Sequence, residues 1–131
     1  MSRLVEQLVE QLEEDYARFP ENQTYSLYAE DVTFKDPLNS FSGVGRYRLM
    51  IGFIARFFSN IEMDLHKIEQ SSPTMITTQW TLHMNPPVPW STRLSIPGHS
   101  ELGLNLEGLI DSHIDYWHCS RLDVLKQVFG Q

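Results

Sequence analysis

The sequence has almost no cysteine, a shortage of basic charge and no long apolar run. The single Cys119 cannot form an intramolecular disulfide, which fits a reducing, cytoplasmic setting. Lys and Arg number 10 against 17 Asp and Glu, a net charge of −7. That deficit argues against a sequence-independent nucleic-acid binder, which neutralises phosphates with basic side chains. It equally disfavours docking on anionic membranes. The longest apolar run, Leu49 to Ala55, is far shorter than the ~20 residues that span a bilayer. The N-terminus is amphipathic and acidic, unlike a secretory signal. Gly43-Val44-Gly45 is too short for a phosphate loop and follows no buried parallel strand. His66, His83, His99 and His118 are scattered singly, without zinc-ligand spacing. No repeat, low-complexity tract or internal linker is visible.

What is present reads as one domain over residues 1–131, with 41% hydrophobic and 11% aromatic residues to build a core. Leu4, Val5, Leu8, Val9, Leu12, Tyr16 and Phe19 form one stripe at helical spacing. Ser2 can cap this helix and Pro20 marks its stop. A short second helix is expected from about Asn22 to Ala29. A three-residue extended run, Val32-Thr33-Phe34, then delivers Asp36 against Pro37, which holds it in extended geometry. After a Gly- and Ser-containing loop, Tyr47, Met50, Ile51, Ile54, Phe57 and Phe58 recur at helical spacing. That helix should end near Ser59-Asn60.

Periodicity then changes to two. Ile61, Met63 and Leu65 alternate with polar residues, and Ser71-Ser72-Pro73 reads as a turn. Ile76, Thr78, Trp80, Leu82 and Met84 share one face of the next strand. Pro86-Pro87-Val88-Pro89 cannot sit within a central strand, because proline donates no ladder hydrogen bond. Thr92, Leu94 and Ile96 resume the alternation, Pro97-Gly98 reads as a bulge, and Leu102, Leu104 and Leu106 continue it. Glu107-Gly108 is a hairpin turn before a last strand, Leu109 to Cys119. Arg121 to Phe129 has the pattern of a short closing helix. Helices followed by a meander of four long strands predict an α+β domain: an antiparallel sheet curled around helices, enclosing a cone-shaped cavity.

Three stretches resemble the nuclear-transport-factor-2-like superfamily, which includes ketosteroid isomerases and SnoaL-like polyketide cyclases. They are Glu14-Asp15-Tyr16-Ala17 near the end of the first helix, the run from Leu27 to Pro37, and Glu107-Gly108-Leu109-Ile110 followed by Ile114-Asp115-Tyr116-Trp117. The element order matches over essentially the whole chain. The resemblance implies a cone-shaped fold without a cofactor and a homodimer formed through the outer sheet face. It also implies an acid-base role for Asp36 and a hydrogen-bond-donor role for Tyr16. It departs from the steroid-isomerase pattern where that chemistry uses a protonated carboxylic acid: the position falls on Leu102 or Gly103, and neither has a side chain that can donate.

The last strand adds its own signal. Asp111, His113, Asp115 and Trp117 are two apart and project from one face. If that face lines the cone, an imidazole stands between two carboxylates, a plausible acid-base device. The competing reading makes this face solvated and buries Ile110, Ile114 and Tyr116 instead. Asp36 equally fits a strand-to-loop boundary, its carboxylate bonded to local backbone N–H groups. Asp111, His113 and Asp115 are proper metal ligands, but no second cluster completes a set, so no metal is expected.

The candidate site is therefore Tyr16, Asp36, His113 and Asp115 as chemistry, with Trp80 and Trp117 as ligand-contacting rings. The leading expectation is a protein that binds a compact, partly apolar small molecule in the cone. The alternatives are a cofactor-independent isomerase, dehydratase or cyclase using Asp36 or His113, and a homodimeric interaction module.

Overall fold

The computed structural model describes residues 3–130; Ser2, the expected cap of the first helix, lies outside them. The elements are α1 (Arg3–Ala17), β1 (Tyr28–Lys35), β2 (Ser40–Ser42), α2 (Val44–Phe57), β3 (Ser59–Ser72), β4 (Met75–Asn85), β5 (Leu94–Leu104), β6 (Ile110–Trp117) and α3 (Arg121–Val128). They form the α+β, nuclear-transport-factor-2-like arrangement. One six-stranded sheet runs in the order β2-β1-β6-β5-β4-β3. Every neighbouring pair is antiparallel except β1 and β6. No helix among the described residues is long and apolar enough to cross a membrane.

The helices cover one face of the sheet. From α1, Leu8 and Leu12 bury against Ile76, Leu102 and Ile110. Burying a leucine of this kind is worth roughly 1.5–3 kcal/mol. Tyr47 and Ile51 of α2 pack on Phe34 of β1, while Phe57, expected in the buried stripe, is largely exposed. At the opposite end Val124 and Val128 of α3 pack against a cluster containing Trp80, Met84, Leu94 and Ile96. α3 starts at a reciprocal cap: Ser120 Oγ accepts from the Asp123 amide and Asp123 Oδ2 accepts from the Ser120 amide, each at 3.0 Å.

Four local expectations need correction. Residues 22–29 form no α-helix: a single 3-10 turn at Tyr25–Leu27 passes into a strand already begun at Tyr28. Strand β1 is therefore longer than Val32–Phe34, and the exposed acidic pair Glu30-Asp31 lies where its register with β6 shifts. Pro97-Gly98 is no bulge. β4 and β5 pair without interruption from Met75↔Gly103 to Met84↔Leu94. Gly98 instead serves close packing, since a Cβ there would sit 2.5 Å from the Tyr116 carbonyl oxygen and 2.7 Å from the Trp80 ring. Leu106 falls beyond β5, in the turn, and is fully exposed.

The actual bulge is in β6. Ile110 pairs with Leu104 and Ser112 with Gly103, which leaves Asp111 as the extra residue. Alternation breaks there, so Ile110 and His113 are both buried. Asp111 thereby drops off the face that His113, Asp115 and Trp117 share.

Candidate functional site

Inward-facing residues of neighbouring strands line up in rows across the sheet. One row is Phe34, His113, Leu102 and Ile76, from β1, β6, β5 and β4 in turn. The next is Asp115, Ser100 and Thr78; the third is Trp117, Gly98 and Trp80. A polar row thus runs between a row that is apolar apart from His113 and a tryptophan row, on the face the helices cover. Above it the covering layer leaves a cavity of about 530 Å³. Tyr16, Asp36, Trp80, His113, Asp115 and Trp117 all line it, together with Ser100.

The polar row is tied into one network. Trp80 Nε1–H donates to Ser100 Oγ at 2.9 Å, and Ser100 Oγ–H donates to Asp115 Oδ1 at 2.5 Å. His113 Nε2 lies 2.7 Å from the same Oδ1. A carboxylate oxygen accepts, so the imidazole hydrogen sits on Nε2. Nδ1 of His113 is enclosed and has no hydrogen-bond partner among the described residues. Around the imidazole stand the rings of Phe34, Tyr47 and Tyr28, with centroids 5.0, 5.5 and 6.2 Å away. Asp115 Oδ2 takes no hydrogen bond from any described residue. The Asp115 side chain is 20% exposed.

Tyr16 reaches the row from α1. Its hydroxyl is 2.8 Å from Thr78 Oγ1, a fully buried group. Burial, with the Asp115 charge adding to it, pushes the Tyr16 pKa up to about 12. Burial likewise holds the Tyr28 and Tyr47 phenols well above the ordinary value; their hydroxyls are 3.4 Å apart. All three keep their phenolic proton at neutral pH.

Asp36 is placed at the cavity rim but is engaged elsewhere. Its Oδ1 accepts from the backbone N–H of Leu38 at 2.8 Å and of Asn39 at 2.6 Å, and the Asn39 side-chain amide bonds both oxygens at 3.1 Å. The carboxylate brackets the β1–β2 turn, the local bonding that an Asp before proline offers. Asp15, another carboxylate on the wall, is buried against Arg18 at 2.9 Å and accepts from the Thr24 amide and hydroxyl, each at 2.9 Å.

Ser100 is the member that the sequence pattern passes over. It has the same parity as Leu94, Ile96 and Leu102, so an unbroken period of two through Gly98 marks it as a polar residue facing inward. Leu102 is fully buried opposite His113. Among the described residues no group of three His, Cys, Asp or Glu is arranged to hold a metal ion.

The family model described as "Uncharacterized conserved protein (DUF2358)" matches residues 6–113. No curated protein is similar in sequence. Among solved structures, a protein of ketosteroid isomerase-like fold from Catenulispora acidiphila DSM 44928, in complex with trimethylamine, superposes with a TM-score of 0.72 at 18% identity. That match covers 98% of this chain and 94% of the other. A candidate polyketide cyclase from Xanthomonas campestris pv. campestris gives 0.74 at 15% identity, over 95% and 96%. An epoxide hydrolase of M. tuberculosis, described as LEH-like, gives 0.65 at 16%, over 98% and 88%. At these identities the likeness establishes the fold and leaves the activity open.

Proposed function

The chain belongs to the DUF2358 family of uncharacterized conserved proteins, and on that premise we propose that it binds a compact, largely apolar small molecule in the cone. His113, Asp115, Ser100 and Trp80 form the polar end that orients the molecule. One observation carries this reading: the linked bonds Trp80–Ser100–Asp115–His113 border about 530 Å³ of space rather than packed hydrocarbon. The volume lies in the range of small-molecule sites, and a few polar groups on a mainly apolar wall are their usual composition. The solved structures of this fold include proteins named for cyclase and hydrolase chemistry, which is consistent with a ligand-holding cone. Thermal-shift screening with compact apolar compounds tests the proposal. At least one should raise the melting temperature of the wild type and raise that of His113→Ala less. No shift from any compound would sink it.

A second reading, proton transfer without a cofactor in an isomerisation, dehydration or cyclisation, draws on the His113–Asp115 bond. Asp115 fixes the imidazole tautomer and orientation, as an orienting carboxylate does for a histidine base. The Tyr16 phenol supplies a donor in the same cavity. Asp36 also lines the cavity in this reading, its Oδ1 held by its own turn and its Oδ2 bonded by the Asn39 side chain. Exchange of a bound ligand's C–H protons with solvent, followed by NMR, tests it: exchange must occur in the wild type and vanish in His113→Ala. Pairing of two copies through the outer sheet face remains part of the proposal on the family resemblance alone; sedimentation at micromolar concentration tests it.

A further inference from the structure

We propose that the ligand of this cavity is a compact cation: an amine or ammonium group carrying hydrocarbon. The inference rests on the binding reading above and narrows it to one charge class.

Among the described residues no lysine or arginine lines the cavity. Three carboxylates do, and their bonding separates them. Asp15 is matched by the Arg18 guanidinium and three further donors from Gln11 and Thr24. Asp36 Oδ1 accepts from two backbone amides and the Asn39 side-chain amide of its own turn, and that same side-chain amide also bonds its Oδ2. Asp115 is different, since both of its protein donors converge on Oδ1 and Oδ2 has none. A carboxylate oxygen that takes no protein donor, on a mostly apolar wall without lysine or arginine among its described residues, attracts a donor that brings positive charge. His113 meets this carboxylate through Nε2 on the Oδ1 side, and its Nδ1 is enclosed without a partner among the described residues, so Oδ2 is left to the cavity.

The rest of the wall suits the same occupant. Tyr28, Phe34, Tyr47, Trp80 and Trp117 line the cavity. Aromatic faces attract cations, most strongly where water is excluded. An anion would meet the Asp115 charge with no compensating group. A neutral alcohol could bond Oδ2 but would leave its charge unmatched.

Three probes of one shape separate the cases: phenethylammonium, 2-phenylethanol and phenylacetate, titrated calorimetrically into the full chain at neutral pH. Phenethylammonium should bind about tenfold or more tightly than the alcohol, the gain expected when a hydrogen bond acquires a charge on each side. Phenylacetate should bind more weakly than either. Asp115→Asn should remove most of the ammonium's advantage over the alcohol. Equal or tighter binding of the alcohol or the acid by the wild type would overturn the cation assignment while leaving the cavity reading intact. A cation preference that survives in Asp115→Asn would overturn the role of Asp115. Binding of none of the three, with no apolar compound stabilising the protein, would overturn both readings.

Discussion

His113 Nε2 and Asp115 Oδ1 are 2.7 Å apart although the two residues sit two apart on the same strand. Same-face neighbours on a strand usually look outward in parallel. Here they lean together, and Ser100, opposite Asp115 on β5, donates to the same oxygen, while Leu102 is buried opposite His113. The geometry of the pair is therefore set by the neighbouring strand as much as by β6, and this leads to the first prediction.

Ser100→Ala should destabilise the fold by about 1–3 kcal/mol, the cost of leaving a buried donor unpaired. The orphan would be Trp80 Nε1–H, which has no other acceptor given to it. Denaturant unfolding measures the loss; a change below a few tenths would mean that water or a shifted Asp115 takes over.

Gly98→Ala should cost about 1–3 kcal/mol through overpacking. A methyl there meets the Tyr116 carbonyl and the Trp80 ring at once, and the carbonyl belongs to a paired strand that cannot swing aside. Thermal unfolding checks the loss, and a drop in Trp80 order by NMR should accompany it.

Alkaline pH should weaken the fold through Tyr16. Its folded pKa, about 12, stands above the ordinary 10 because burial and the Asp115 charge favour the neutral phenol. The stabilisation is fully present below pH 10 and is lost as pH climbs through about 12. Tyr16→Phe should lose less stability over that interval than the wild type; equal slopes would remove Tyr16 from the account. Tyrosinate absorbance of the native protein should rise in that interval only together with unfolding for the enclosed phenols.

Asp36→Ala should lower stability by about 1 kcal/mol, through loss of the bonds that bracket the β1–β2 turn. Affinity for an apolar ligand should change far less than in Asp115→Asn. Calorimetry of both variants with one compound decides, and a larger binding loss in the Asp36 variant would return that residue to the centre of the site.

The α+β order, the curled sheet and the inward face of β4 could be read directly, because a period of two carries facing information along a strand wherever pairing is regular. The same logic brought His113, Asp115 and Trp117 onto one face. It failed at Asp111, since a one-residue bulge leaves no mark in a sequence of otherwise acceptable strand residues. It also failed at Ser100, where a Pro-Gly pair looked like an interruption. Proline there has intermediate exposure within a continuous strand, and glycine answers to the rings packed against it. Which oxygen of which carboxylate stays free depends on contacts between distant segments, and no local pattern encodes that.

The sheet places Phe34 beside His113, so the earliest strand and the final one are adjacent while the intervening meander hangs from the far side of β6. Contacts between such distant partners are slow to close during folding. A nascent or truncated chain that stops before the last strand would have α1, α2, Trp80 and Ser100, yet neither His113 nor Asp115. Ligand capture would then serve as a readout of completed assembly: during refolding it should lag behind the gain of secondary structure and coincide with the arrival of β6.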